Sequence, residues 1–140
     1  MPLTDAFEII ILDGIMGDPD YTPPTNWFVG LSTTTPTEAG ANFTEPVGNG
    51  YARVSTADAD WDPASGTAPA IKDNANAITF PQATGSWGTV THFGLFDAST
   101  GGNLRMWGLL ATAKAIANLD TAAFAAAALV IKLGKDGDTF

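Results

Sequence analysis

The stretch VTHFGLFDASTGGNLRMWGLLAT, residues 90–112, decides the fold class. Val90, His92, Gly94 and Phe96 alternate with Thr91, Phe93 and Leu95; Leu104, Met106 and Leu110 alternate with Arg105, Trp107 and Leu109. A period of two marks strands, whose successive side chains point to opposite faces. Between the two runs, ASTGG supplies the glycines a tight connection needs. The spacing predicts an antiparallel hairpin over 90–111.

Outward from that hairpin the same grammar recurs. NWFVGLSTTTP (26–36), YARVST (51–56), PAIK (69–72), AITF (77–80) and ALVIKL (128–133) are short β-type runs separated by segments rich in Gly, Pro and Asn. Such punctuation predicts an all-β chain, an antiparallel β-sandwich of jelly-roll type. The Ala-rich segment 111–133 favours helix by propensity. Its Leu129, Ile131 and Leu133 nevertheless alternate with Val130 and Lys132, and Asn118–Thr121 reads as a turn. The β context predicts strand, turn, strand, with some helix admissible around 113–119.

The first residues read differently. In MPLTDAFEIIILDGIMGD, Thr4 is placed to cap a helix, Asp5 and Glu8 sit in its first turn, and Phe7, Ile10, Ile11 and Ile15 are expected on one face. Gly14 or Gly17 closes the helix, and Pro19 prevents its continuation; the run Ile9–Leu12 would also suit a strand. Residues 1–24 are expected to form a helix and connector serving as a docking segment, and residues 25–140 a single β-sandwich domain. No Lys or Arg precedes the apolar run, so no secretory signal is expected.

Composition narrows function. The chain has no Cys, which excludes disulfides and Cys-based metal sites. Residues 1–62 hold ten acids against Arg53 alone, whereas residues 63–140 are neutral. That imbalance predicts one acidic face and disfavours nucleic acid and anionic membrane as partners. His92 is the lone histidine; in a strand context it reads as a hydrogen-bonded structural residue. No nucleophile elbow or phosphate-binding loop occurs, and GKDG at 134–137 lacks the required spacing.

Asp58, Asp60 and Asp62 alternate as calcium ligands do, but Pro63 and Pro69 stand where a calcium loop needs Gly and Glu. We expect an exposed acidic loop, with no metal and no cofactor. Trp27 and Trp107 lie in strand runs and are expected in the core. Trp61 and Trp87 lie in loop contexts and are expected, with Phe7, Ile11 and Ile15, to be interface residues.

Several strings stand together in one order: WFVGLSTTTPTEAG (27–40), NFTEPVGNGYARV (42–54), AITFPQATGSWGTVTHFGLFDASTGGNLRMWG (77–108) and DTAAFAAAALVIKL (120–133). Over residues 5–133 the chain resembles a family of small tailed-bacteriophage virion proteins known as phage tail fibre proteins. The resemblance implies a non-enzymatic structural protein of the virion, assembled in the host bacterial cytoplasm. Its implied partners are other virion proteins of capsid or tail. A homo-oligomer is also expected, a trimer by preference. A compact chain of this length has a radius of gyration of only about 14 Å, too small for a fibre shaft. It suits a tip, adaptor or knob, or a capsid decoration (cement) protein. The alternative is a host receptor- or glycan-binding module of the tail, with Trp61 or Trp87 as the stacking platform.

Overall fold

The computed structural model describes residues 3–17, 21–67 and 69–133. In chain order it contains α1 (Asp5–Met16), β1 (Trp27–Ser32), β2 (Val54–Thr56), β3 (Ala70–Asp73), β4 (Ile78–Thr79), β5 (Gly88–Phe96), β6 (Leu104–Ile116), β7 (Ala123–Phe124) and β8 (Val130–Leu133). Residues 18–20, including Pro19, and the GKDG motif at 134–137 lie outside the described residues.

The expected hairpin is present as β5 and β6, with Phe93 opposite Gly108, Gly94 opposite Trp107 and Leu95 opposite Met106. Its turn places Gly101 and Gly102 at positive φ. Asp97 braces it by accepting from the Asn103 backbone N–H (2.7 Å) and from Arg105 Nε (3.0 Å). Strand β1 lies antiparallel on the other side of β5, and β2 completes a sheet of order β2-β1-β5-β6. Two smaller antiparallel pairs, β3-β8 and β4-β7, form the rest. The architecture is the expected one: all-β, antiparallel and sandwich-like, with one short N-terminal helix.

Register explains which residues go inside. Val29 faces Leu95 and Leu31 faces Phe93, so one face of the large sheet is a block of bulky apolar side chains. Ile78, Phe80, Trp61, Trp87, Ile116 and Leu129 close over that face to make the core. Simple alternation would put Val90 with His92, yet Val90 joins Phe93 and Leu95 inside. The cause is a bulge between Val90 and His92, which shifts the parity of the strand by one.

The opposite face carries Gly30 directly across from Gly94. A Cβ on Gly30 would meet Glu45 Oε1 at 2.9 Å, and one on Gly94 would meet Phe43 Cε2 at 2.6 Å. The two glycines leave a slot into which the loop between β1 and β2 lays its side chains.

The Ala-rich segment follows the strand-turn-strand reading. Strand β6 continues to Ile116 and a turn covers Asn118 and Leu119, so the helix admissible around 113–119 does not form.

Candidate interaction surface

Helix α1 ends at Gly17, whose φ of 88° gives the left-handed closure expected of glycine. Its start departs from expectation. Thr4 occupies the N-cap position but makes no side-chain cap; its hydroxyl donates instead to the carbonyls of Leu104 (3.1 Å) and Arg105 (3.3 Å). The Thr4 N–H also donates to the Arg105 carbonyl (2.9 Å), and Leu3 bridges to Met106. Thr4 therefore fixes the helix to the edge of β6.

One side of α1 is bound to the body of the protein. Phe7 is buried, its ring edge-on to Tyr21 (5.6 Å) and Trp27 (6.0 Å). The Arg105 guanidinium lies 5.6 Å from that ring while pairing with Asp97. Gly14 lets the helix approach Tyr21, since a Cβ there would lie 2.8 Å from Tyr21 Cβ. Ile11 is half-buried and lines an apolar groove of 690 Å³ beside the helix, together with Trp27, Ile71, Met106 and Ile131.

The other side is bare. Ile9 is 60% exposed, Leu12 61%, Ile15 73% and Met16 83%. Ile15 does not share the face of Phe7, because eight residues at 100° per step leave it about 80° away. The helix carries bulky apolar residues on its exposed side as well as on its bound side, more than its contact with the body covers. Covering Ile9, Leu12 and Met16 fully would be worth about 1.5–3 kcal/mol each.

The remaining candidates are placed elsewhere. Trp61 and Trp87 are 8% and 4% exposed, and both belong to the core. Trp61 Nε1 donates to Thr56 Oγ1 (3.0 Å) and Trp87 Nε1 to the Asn49 carbonyl (2.8 Å). Their loops fold over the open face of the sheet, so neither ring is presented as a stacking platform. Trp27 packs against the core as expected, whereas Trp107 sits half-buried on the opposite face, edge-on to His92 at 5.8 Å.

Asp58–Asp60 forms a short 3-10 turn. Asp60 uses both carboxylate oxygens locally, accepting from the Ala57 N–H (2.9 Å) and from Asn76 Nδ2 (3.1 Å). No cluster of three His, Asp or Glu side chains suited to a metal occurs among the described residues. Of the acids before residue 63, Glu45 is neutralised by its ion pair with Arg53.

His92 is buried, with Nδ1 2.8 Å from Thr91 Oγ1. Burial pushes its pKa below the ordinary 6.5. For Asp97, burial works upward, but the bonds from Asn103 and Arg105 outweigh it and hold the carboxyl below its ordinary 3.8. A depressed folded pKa means the unfolded chain takes up the proton first, so stability is lost as pH falls. Stability should therefore decline in two windows, one below pH 6.5 from His92 and one below pH 3.8 from Asp97. Urea titrations across pH 3–8 should show both, and His92→Gln should remove the upper one alone.

Sequence reasoning did not single out Ile9, Leu12 and Met16, although the signal was there. Four consecutive apolar residues, Ile9–Leu12, span more than one turn and must face both ways.

No curated protein matches the chain. A family model described as the podophage GP4 fiber I protein gp80 matches residues 2–132. With nearly the whole chain covered, from the α1 segment through β8, this protein belongs to the podophage fibre I family.

Proposed function

We propose that the chain is a non-enzymatic structural protein of a podophage virion, carried on the tail as part of the fibre apparatus, assembled in the host cytoplasm and acting through protein–protein contact. The observation that carries this reading is α1: a helix riveted to the β body by Thr4 while Ile9, Leu12, Ile15 and Met16 stand in solvent. A stripe of that kind marks an interaction surface. The fibre family supports the particle, and the exposed apolar residues of α1 support a docking role for residues 1–24.

Mass spectrometry and labelled imaging of purified virions of the phage that encodes the chain test the proposal. Label on the tail is expected. Label on the capsid shell would replace the fibre role by a decoration role, and absence from virions would overturn the structural reading altogether.

Self-association as a trimer belongs to the same reading, with its contact on the outer edge of β6. That strand ends its sheet; Leu3 and Thr4 cover its edge at residues 104–106, but past them Leu109 is exposed. A free strand edge is a template for pairing with another chain. Light scattering should give the mass of a trimer for the wild type and of a monomer for Leu109→Asp. A wild-type monomer would remove the trimer and leave the virion placement untouched.

A further inference from the structure

This inference rests on the assembly reading above and names the partner. We propose that the outer stripe of α1 docks into a groove of a different virion protein, one with an apolar floor and Lys or Arg on both rims, and not onto a second copy of this chain.

The pattern around the helix carries the argument. At about 100° per residue, Ile9, Leu12 and Met16 fall within roughly 60° of one another. Glu8 lies on one flank of that stripe, Asp13 on the other, and Asp5 continues it toward the N-terminus. All three acids are exposed, and the helix carries no base. The spacing of Ile9, Leu12 and Met16 is that of core positions in a helix pair, which puts Glu8 and Asp13 at the two flanking positions that choose the partner.

Two copies of such a helix oppose each other in either orientation. Side by side and parallel, Glu8 of one meets Asp13 of the next; antiparallel, each acid meets its own equivalent. Like charges at a desolvating rim reject the pairing, whereas a basic rim accepts it. The chain also has few cations to offer a neighbouring copy. Arg53 and Arg105 are committed to Glu45 and Asp97. Among the described residues Lys72, Lys114 and Lys132 carry no ion pair: Lys72 donates to the Asp62 carbonyl (2.9 Å) and alternates with Lys132 across the paired strands β3 and β8, so the two fall on opposite faces, and Lys114 lies on β6. A head-to-tail contact would set one of them against three acids. An anionic lipid surface is disfavoured by the same acids. An amphipathic helix entering a groove on another protein fits both the apolar centre and the charged margins.

A photo-crosslinking amino acid at position 12, in the chain encoded by the phage itself, gives the direct test. Irradiated virions should yield an adduct with a different virion protein, mapped to a segment with apolar residues bordered by Lys or Arg. The double substitution Glu8→Lys with Asp13→Lys should reduce incorporation per virion by roughly tenfold or more, because both rims then repel. Both sites are exposed, so the melting temperature of the purified variant should match the wild type.

Adducts between copies of this chain, no adduct at all from virions that contain the chain, or normal incorporation of the double variant would each overturn the proposal. Absence of the wild-type chain from virions is a separate result, since it removes the assembly reading first.

Discussion

Arg53→Ala is expected to destabilise the protein by about 3 kcal/mol, the lower end of the range for breaking a buried pair, because Arg53 is buried while the Glu45 left behind is 25% exposed. Arg53 forks onto Glu45, with Nε to Oε1 at 2.8 Å and Nη2 to Oε2 at 2.7 Å. Its Nη1 donates to the carbonyls of Ala98 and Gly101, each at 2.8 Å, which ties the loop before β2 to the β5–β6 turn. The guanidinium lies flat over Phe96, 3.4 Å from the ring centroid. Glu45 also accepts from Tyr51 Oη (2.8 Å), which in turn accepts the Leu31 N–H (2.9 Å). Burial keeps the Tyr51 hydroxyl protonated, with its pKa far above the ordinary 10.0.

Removing the arginine leaves the Glu45 carboxylate without its cation and frees two carbonyls at once. For a chain of this size the loss corresponds to a fall of roughly 10 °C in melting temperature. Arg53→Lys should recover less than half of it, because a point charge cannot fork onto the carboxylate and reach both carbonyls. Removing both partners, with Arg53→Met and Glu45→Gln, should cost clearly less than the two single losses added together. A simple sum would show that the pair is not coupled.

That clasp also shows where sequence reading stops. The hairpin was legible because alternation, glycine placement and turn composition in 90–112 all point one way. Strand β1 followed from its aromatic and β-branched run, and α1 from its start and stop residues. The match of Gly30 to Gly94 was not legible, since it depends on the register between β1 and β5, which are 64 residues apart. Without that register nothing says that Glu45, Tyr51 and Arg53 converge on one slot.

The tryptophans failed for a related reason. Local context calls 61 and 87 loop residues, but the loops lie across the sheet and carry both rings inward. For the candidate site, the sequence located helix α1 but placed Ile15 on one face with Phe7, and the structure leaves Ile15 exposed while Phe7 is buried. Which side is free depends on where Thr4 attaches the helix to β6, and that is a tertiary fact.

Asn74→Asp is expected to be as damaging as the loss of Arg53, and to change the pH dependence of stability. Asn74 is fully buried. Its Nδ2 donates to the carbonyls of Asn76 and Ala125, both at 2.8 Å, and its Oδ1 accepts the Leu129 N–H at 2.8 Å. Its own carbonyl accepts the Ala127 N–H at 2.7 Å. These bonds hold the Ala-rich turn out of helix: Ala127 stands at φ 61°, a conformation that non-glycine residues rarely adopt. They also deliver Leu129 to the core, next to β8.

Alanine at 74 would leave the Leu129 N–H and two carbonyls unpaired, at about 1–3 kcal/mol for each buried group left unsatisfied. Aspartate is worse at neutral pH, because an ionised carboxylate has no hydrogen to donate and faces two carbonyl oxygens. Burial and those carbonyls raise its folded pKa above the unfolded value of about 3.9. The native state then holds the proton more tightly, so the variant loses stability as pH rises between the two values. Asn74→Asp should therefore recover stability relative to wild type between pH 7 and pH 5, while the wild type weakens over the same interval through His92. Urea unfolding at the two pH values, with hydrogen exchange of the Leu129 amide, measures both effects. A difference from wild type that is independent of pH would mean that the new carboxylate has escaped to water, and that Asn74 does not hold the turn as described.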